Sequence, residues 1–285
     1  MSATRLCVVG SVNTDLTFTV QALPRAGETV LSSSLVSSPG GKGANQAVAA
    51  ARAGAQVQFV GALGSDASAD MLRAHLRANG VGLDGLVTLR GPSGMAAIVV
   101  DADAENMIVV APGANAHLTL DSADRREVVA DSDVVLLQME IPVPTAVAAA
   151  RTARAAGATV VVNASPASDS PQLAELAAAT DVVVVNEAEA AQWRWPVPHL
   201  VITQGARGAR YLGGERELEV PAPAVEPVDT TGAGDVFAGV LAAAWPDDHE
   251  HALRRACAAG ALATLVPGAG DCAPRDEAIE DALPT

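Results

Sequence analysis

The sequence predicts an α/β protein whose core is a mostly parallel sheet packed between helices, and three observations carry that prediction. Short apolar runs rich in β-branched residues recur at 6–9, 57–60, 134–137, 160–162, 182–185 and 200–202. Ala-rich stretches with helical spacing separate several of them, at 44–53, 69–78, 145–156 and 171–179. Of the 285 residues 49% are hydrophobic but only 2% aromatic, so Ala, Val and Leu must fill the interior. Such a core suits helices lying close against a sheet buried on both faces.

Taken in order, the run 6–9 reads as a buried strand because it is apolar throughout rather than alternating. Residues 14–38 and 93–112 instead mix alternating apolar positions with turn signals, and both are read as antiparallel strands of a small lid sheet. Between these two segments, 44–53, 57–60 and 69–78 supply a helix, a strand and a helix, the alternation of βαβ units with parallel strands. The alternation resumes at 134–137 and runs through 200–202, and a last apolar helix is expected at 236–244. The chain 1–285 is therefore read as one domain, long enough to bury a large core, with the lid inserted at about 14–38 and 93–112.

The formal net charge is −15, which opposes a phosphate backbone, and no cluster of Lys and Arg offers a local exception; no nucleic acid is expected as a partner. No segment approaches the roughly 20 apolar residues of a membrane span, and the N-terminus lacks the pattern of a secretory signal. Cys7, Cys257 and Cys272 show neither metal-ligand spacing nor the density of a disulfide framework. These features predict a soluble, cytoplasmic protein with free thiols and no membrane partner. The five histidines form no metal triad, and 249–251 reads as part of an acidic loop. The cations are 17 Arg and a single Lys, Lys42.

Three motifs carry chemistry. Asp229-Thr230-Thr231-Gly232-Ala233-Gly234-Asp235 precedes the helix at 236–244. Glycines that open a helix let phosphate approach backbone N–H groups, and the helix dipole adds attraction for negative charge. A carboxylate beside a transferring phosphate is electrostatically unfavourable unless it accepts a proton, which makes Asp235 a candidate general base. The plainer reading is a tight packing turn with Asp235 in the first turn of the helix. Pro39-Gly40-Gly41-Lys42-Gly43-Ala44-Asn45-Gln46-Ala47 again sets glycines before a helix and offers Lys42 and Asn45 to hydroxyl groups. Here the alternative is a Gly-rich turn with an exposed Lys; against it, a compact ammonium stands where the rest of the chain uses guanidinium. The strand 6–9 delivers Gly10-Ser11-Val12-Asn13-Thr14-Asp15 at its C-terminal end, where parallel sheets bind ligands. Asn13 and Asp15 can clamp vicinal hydroxyls or cap a turn, and the G-x-G-x-x-G string of hydride-transfer enzymes is absent there.

The string 229–235 resembles the C-terminal signature of the PfkB, or ribokinase, family of carbohydrate kinases, and 39–47 resembles the N-terminal motif of that family in its ribokinase form. The resemblance runs from Val8 to about Ala278 and includes the lid-like segment 94–115. It implies a ribokinase-like three-layer sandwich, with a mostly parallel Rossmann-like sheet and a small β-sheet lid. It implies transfer of the terminal phosphoryl group of ATP to a sugar hydroxyl, first of all the 5-hydroxyl of D-ribose. Asp235 would be the catalytic base, and Asn13, Asp15, Gly41, Lys42, Gly43, Asn45 and Glu140 would surround the sugar with it. On the nucleotide side, Asn186 and Glu189 resemble an N-x-x-E motif in which Glu189 reaches Mg2+ through water, although Asn186 also reads as a helix cap. Thr203, Gly205 and Gly208 resemble a nucleotide-binding turn, otherwise a plain hairpin turn, and Gly232, Ala233, Gly234 and Cys257 complete that side. A K+ site would carry over to Asp229, Thr231, Ala263, Val266, Gly268 and Cys272, mostly through backbone carbonyls, with Cys272 in place of a hydroxyl residue. With so few cations, ATP must be held by backbone N–H groups and metal, so Mg2+ is expected. The resemblance also implies a homodimer formed through the lid.

One segment departs from the family pattern. Only ten residues, 190–199, stand where relatives carry a further helix and often a strand, and Pro196 and Pro198 prevent a helix there. A short connection at the sheet edge and a weakened ATP site are the expectation, with Trp193 and Trp195 covering the bared face or forming an interface. The competing readings are the same chemistry on deoxyribose, a nucleoside or a phosphorylated ketose, and a non-catalytic sugar-binding relative with impaired ATP binding. A phosphorylated acceptor would call for extra cations that the sequence does not obviously supply.

Overall fold

The computed structural model describes residues 3–103 and 105–283. Strand β1 (Arg5–Val9) sends Leu6 and Val8 into one helical layer and Cys7 and Val9 into the other, all four buried. The chain continues through β2 (Asn13–Thr19), β3 (Ser34–Gly40), α1 (Lys42–Arg52), β4 (Gln56–Leu63), α2 (Ala67–Ala78), β5 (Gly82–Thr88), β6 (Gly94–Val100) and β7 (Asn106–Ala111). Next come α3 (Ala123–Ala130), β8 (Val134–Gln138), α4 (Val143–Ala155), β9 (Thr159–Asn163), α5 (Leu173–Ala178) and β10 (Val182–Asn186). The last part holds α6 (Glu187–Ala190), β11 (His199–Thr203), β12 (Ala209–Gly213), β13 (Arg216–Val220), α7 (Ala233–Ala244), α8 (His249–Ala263) and α9 (Asp276–Asp281).

The large sheet has the order β13-β12-β11-β10-β9-β8-β1-β4-β5. From β11 to β5 every neighbouring pair is parallel, and β12 and β13 add an antiparallel edge. The winding reverses beside β1, with β4 and β5 on one side and β8 to β11 on the other. The crevice at the C-terminal ends of β1 and β8 is thus the place where an open α/β sheet binds its ligand. Small side chains set the layer spacing. On one face Ala44, Ala47 and Val48 of α1 and Leu241 and Ala242 of α7 pack on Leu6 and Val8. On the other, Ala146, Ala149, Ala150 and Ala153 of α4 and Leu173 and Leu176 of α5 belong to the same buried cluster as Cys7 and Val9. Helices α1 and α7 approach so closely that a Cβ at Gly239 would lie 2.4 Å from the Gln46 carbonyl oxygen.

The lid is a separate four-stranded sheet of order β3-β2-β6-β7. The β2–β3 and β6–β7 pairs are antiparallel as expected, but the central pair, β2 with β6, is parallel from Asn13 opposite Gly94 to Thr19 opposite Val100. The reason lies in the parent sheet: β2 follows β1 and β6 follows β5, and these parallel strands send both lid segments out of the same edge in the same direction.

One turn of helix, α6, ends where the shortened connection begins, and the connection still lets β10 pair with β11 in parallel. Trp193 and Trp195 meet edge to face at 5.1 Å, and Trp193 Nε1 donates to the Trp195 carbonyl at 2.8 Å. With Val197 they pack on the core cluster that includes Val183 and Val185, so they cover the face that the missing helix leaves bare. Residues 249–251 are not a loop. Asp248 caps α8 by accepting from the His251 N–H, and His249 stacks on Trp245 at 4.0 Å. Among the described residues no helix is long and apolar enough to cross a membrane.

Candidate active site

The crevice beside β1 is built from chain ends that leave the sheet at its C-terminal edge. Beyond β1, Ser11 Oγ donates to Glu140 Oε2 at 2.6 Å and so bridges the switch point between β1 and β8. The same carboxylate oxygen accepts from the Lys42 backbone N–H at 3.2 Å, which fixes Glu140 against the start of α1. Gly43 packs on this bridge, since a Cβ there would stand 2.6 Å from the Ser11 nitrogen. The space at Gly40 is not left for a ligand: the Asp15 carboxylate fills it, 2.0 Å from where a Cβ would be. Asn13 and Asp15 open β2 and are both buried, Asp15 to 8% exposure. Asn13 Oδ1 accepts from Asn115 Nδ2 at 2.8 Å, and Asn115 also grips both the N–H and the carbonyl of Val12. Burial, then the charges of Glu140 and Asp235, push the Asp15 carboxyl up to about 7.

Asp235 lies in the first turn of α7 at 7% exposure. Asn45 Nδ2 donates to its Oδ2 at 3.0 Å and Gln46 Nε2 to its Oδ1 at 3.0 Å, while Lys42 Nζ stands 4.0 Å from Oδ1. Lys42, Asn45 and Gln46 share one face of α1 because residues three and four apart are neighbours on a helix. Asp235, and then Glu140 and Glu189, raise the Lys42 ammonium above its ordinary range. The single lysine therefore lies in the field of three carboxylates, with Asp235 the one at ion-pair distance. Asn13, Asp15, Gly41, Lys42, Gly43, Asn45, Glu140 and Asp235, singled out in the sequence, all converge on this crevice. A cleft of about 480 Å³ opens from it, between Asp15, Thr17, Ser38 and Ile98 of the lid and Asp229 to Thr231 below.

A second cavity, about 790 Å³, lies on the other side of the α7 N-terminus. Asn186, Thr203, Gly205, Gly208, Ala233, Gly234 and Cys257 line it, together with Ala222 to Val225, Pro227, Thr230, Phe237 and Thr264. Its walls are largely apolar and carry no Lys or Arg among the described residues. Gly232 caps α7 with φ 81°, a left-handed conformation that favours glycine. No heavy atom lies within 4 Å of where a Cβ on Gly234 would stand, so the first turn of α7 is open to an anion. Residues 203–208 form the turn of the β11–β12 hairpin, and Thr203, Gly205, Ala206 and Gly208 of that turn line the cavity. Burial pushes the Cys257 thiol up to about 12, so it lines the cavity as a neutral thiol. Glu189 does not line the cavity. Its Oε2 accepts from the Asn186 N–H while Asn186 Oδ1 accepts from the Glu189 N–H, a reciprocal cap of α6.

The third set gathers beside the α7 N-terminus. Asp229 Oδ1 accepts from the Thr231 N–H and Oδ2 from the Gly268 N–H, both at 2.8 Å, tying the 229–231 and 263–272 segments together. Burial alone would raise the Asp229 carboxyl, but these hydrogen bonds and that of the Thr231 hydroxyl hold it below its ordinary value. Cys272 Sγ donates to the carbonyls of Ala269 at 3.3 Å and Thr231 at 3.8 Å. Burial, then Asp235 and Asp229, push this thiol up to about 11. Ala263 is buried at the end of α8, whereas the Val266 side chain is exposed.

Sequence reasoning missed Ser11, Asn115, Gln138, Asn163 and the role of Gln46. Gln46 carried a usable signal, a polar residue one turn beyond Lys42 in a helix otherwise rich in Ala and Val. The wall at 222–225 carried none, being a stretch of Pro, Ala and Val.

The family model described as pfkB family carbohydrate kinase matches residues 3–195 and 196–276, and its break falls within the shortened connection. A ribokinase from Bacillus subtilis is 38% identical over 98% of this chain and 99% of its own. The crystal structure of a ribokinase from Thermotoga maritima superposes with a TM-score of 0.89 at 30% identity, covering 98% of this chain and 99% of that one. A ribokinase from Arabidopsis thaliana, solved with ribose and ATP, also gives 0.89, at 32% identity and 99% of both chains. With its two motifs on the two sides of one helix N-terminus, its lid over the crevice and these matches along nearly its whole length, the chain belongs to the pfkB family of carbohydrate kinases.

Proposed function

We propose that this protein is an ATP-dependent ribokinase that phosphorylates D-ribose at the 5-hydroxyl, acting as one domain with the lid strands as an insertion. The observation that carries the reading is Asp235, held at the N-terminus of α7 between an acceptor crevice of hydrogen-bonding side chains and a nucleotide-sized cavity. The likeness to ribokinases, one of them solved with ribose and ATP, supports the choice of sugar.

Asn13, Asp15, Asn45 and Glu140 orient the sugar so that its 5-hydroxyl meets Asp235. Asp235 accepts the hydroxyl proton as the oxygen bonds to the γ-phosphorus; the bond from that phosphorus to the bridging oxygen breaks and ADP leaves with the electron pair. Backbone N–H groups of 232–234 and the Lys42 ammonium stabilise charge on the transferring group. The lid excludes water, which would otherwise compete as acceptor.

Mg2+ would be held mainly by nucleotide phosphates and water: among the described residues no three Asp, Glu, His or Cys side chains are placed to hold an ion by themselves, and Glu189 would add one carboxylate, through water. When bound, Mg2+ neutralises phosphate charge. A monovalent cation such as K+ would sit beside Asp229, Thr231 and Gly268, where the Asp229 carboxylate and the Thr231 carbonyl offer oxygen donors and the Cys272 thiol is the one soft member. A homodimer through the lid is supported by the apolar exposure of Leu35, Val36, Met107, Ile108, Val109 and Val110, and light scattering tests it. Three buried free cysteines favour the cytoplasm.

The decisive assay is ribose-dependent ADP release. Asp235→Asn should lower kcat by about 10² to 10⁴; equal rates for the two proteins would sink the assignment. Calorimetry that found ribose binding with no binding of a non-hydrolysable ATP analogue would favour a sugar-binding protein instead.

A further inference from the structure

Behind Asp235 runs a buried chain of amides with a fixed direction. Asn163 Nδ2 donates to the Val184 carbonyl at 3.1 Å, a backbone acceptor that no side-chain rotation can change. Asn163 Oδ1 must then face Gln46, and Gln46 Nε2 donates to it at 3.0 Å. The other proton of the same nitrogen goes to Asp235 Oδ1, also at 3.0 Å. Gln46 Oε1 in turn accepts from Gln138 Nε2 at 2.7 Å. Gln46 and Gln138 are both fully buried, at 0% exposure. Gln138 Oε1 accepts no hydrogen bond from the described residues and is wedged against Gly10, where a Cβ would come within 1.9 Å of it. A buried acceptor without a donor costs stability, and the chain of amides is kept at that cost.

We infer that Gln46 is a positioning residue for phosphoryl transfer, resting on the reading of Asp235 as the base. Through Asn163, the Val184 carbonyl dictates that an N–H, never a lone pair, meets Asp235 Oδ1. With Asn45 on Oδ2, each carboxylate oxygen accepts one amide proton, so the carboxylate plane is pinned at both ends. Each oxygen keeps a lone pair for the hydroxyl proton of the acceptor. Gln138 holds the far end of Gln46 and prevents its amide from turning over.

The test uses Gln46→Glu, which keeps the shape and inverts the polarity facing Asp235, and Gln46→Met, which removes the polar group. Both are measured for kcat, for KM of ribose and for melting temperature. The expected result is a kcat about 100-fold lower, the scale of a misplaced catalytic group, with KM for ribose within about threefold of wild type. In an Asp235→Asn background, Gln46→Met should lower kcat no further. A folded Gln46→Met with wild-type kcat, or the same added loss in the Asp235→Asn background, overturns the inference. Should both Gln46 variants fail to fold, Gln138→Met, one amide further away, is expected to lower kcat about tenfold at unchanged KM, and an unchanged kcat there also overturns it. An Asp235→Asn protein with wild-type kcat would defeat the base reading itself; an inactive one beside a fully active Gln46→Glu would defeat only the positioning role.

Discussion

Asp15 is a buried carboxylate with no hydrogen-bond donor of its own among the described side chains, and replacing it with Asn should make the empty protein more stable and a worse enzyme. In the folded state its carboxyl rises from 3.8 to about 7, first through burial and then through Glu140 and Asp235. The folded chain therefore holds this proton more tightly than the unfolded chain does. Between pH 4 and 7 the unfolded state ionises freely while the folded state resists, so stability falls as pH rises through that window and the full cost is present above pH 7. A rise of about three pH units at 1.36 kcal/mol each bounds the cost at about 4 kcal/mol. Asn matches the shape and removes the charge, so Asp15→Asn should gain about 2 to 4 kcal/mol at pH 8. At about 2 °C per kcal/mol for a chain of this size, the melting temperature rises by roughly 4 to 8 °C. The gain should shrink toward zero near pH 4. Ribose turnover should fall at the same time, because sugar hydroxyls lose an ionised acceptor; for the same reason the wild-type KM for ribose should rise as pH drops below 7. A thermal scan of both proteins from pH 4 to 8 checks this. A gain independent of pH, or a loss of stability at pH 8, would refute the electrostatic reasoning.

Three further outcomes follow from other parts of the molecule. Gly234→Ala has room for its Cβ in the empty protein but narrows the approach to the α7 N-terminus; the melting temperature should stay within about 2 °C while KM for ATP rises about tenfold, a loss of ~1.4 kcal/mol. If the proposed K+ site is used, Cys272→Ser puts a harder donor beside the Thr231 carbonyl and the K+ concentration for half-activation in the ribose assay should fall about threefold, or ~0.6 kcal/mol; a rate indifferent to K+ in both proteins would refute the site. Trp193→Ala uncovers the half-buried face beside β10 and should cost about 2 kcal/mol in urea unfolding while leaving kcat unchanged.

The buried strands were legible in the sequence because a parallel sheet covered on both faces leaves uninterrupted apolar runs, as at 134–137 and 182–185. The glycine motifs were legible too, since each stands where a helix starts beside a strand end. The partner strand of β2 was not: periodicity marks a strand but does not say which of two distant segments it meets, and the parallel β2–β6 pair follows from the geometry of the parent sheet. The purpose of Gly40 was also hidden, because the sequence shows a missing side chain but not that Asp15 occupies its place. Glu189 lies beyond what a motif conveys, as its carboxylate caps its own helix whatever else it does.

The pairing of β2 with β6 assigns Asn13 and Asp15 to the lid rather than to the large sheet. Asn13 and Asp15 are the first rungs of a ladder that continues to Thr19, locked to Gly94 through Val100 on one side and to Ser34 through Gly40 on the other. They belong to the roof rather than to the floor on which Asp235 stands. Asn115 ties this plate to the chain at Val12 and Asn13, so a perturbation at Asn13 or Asp15 is borne by a four-stranded sheet rather than by a single loop.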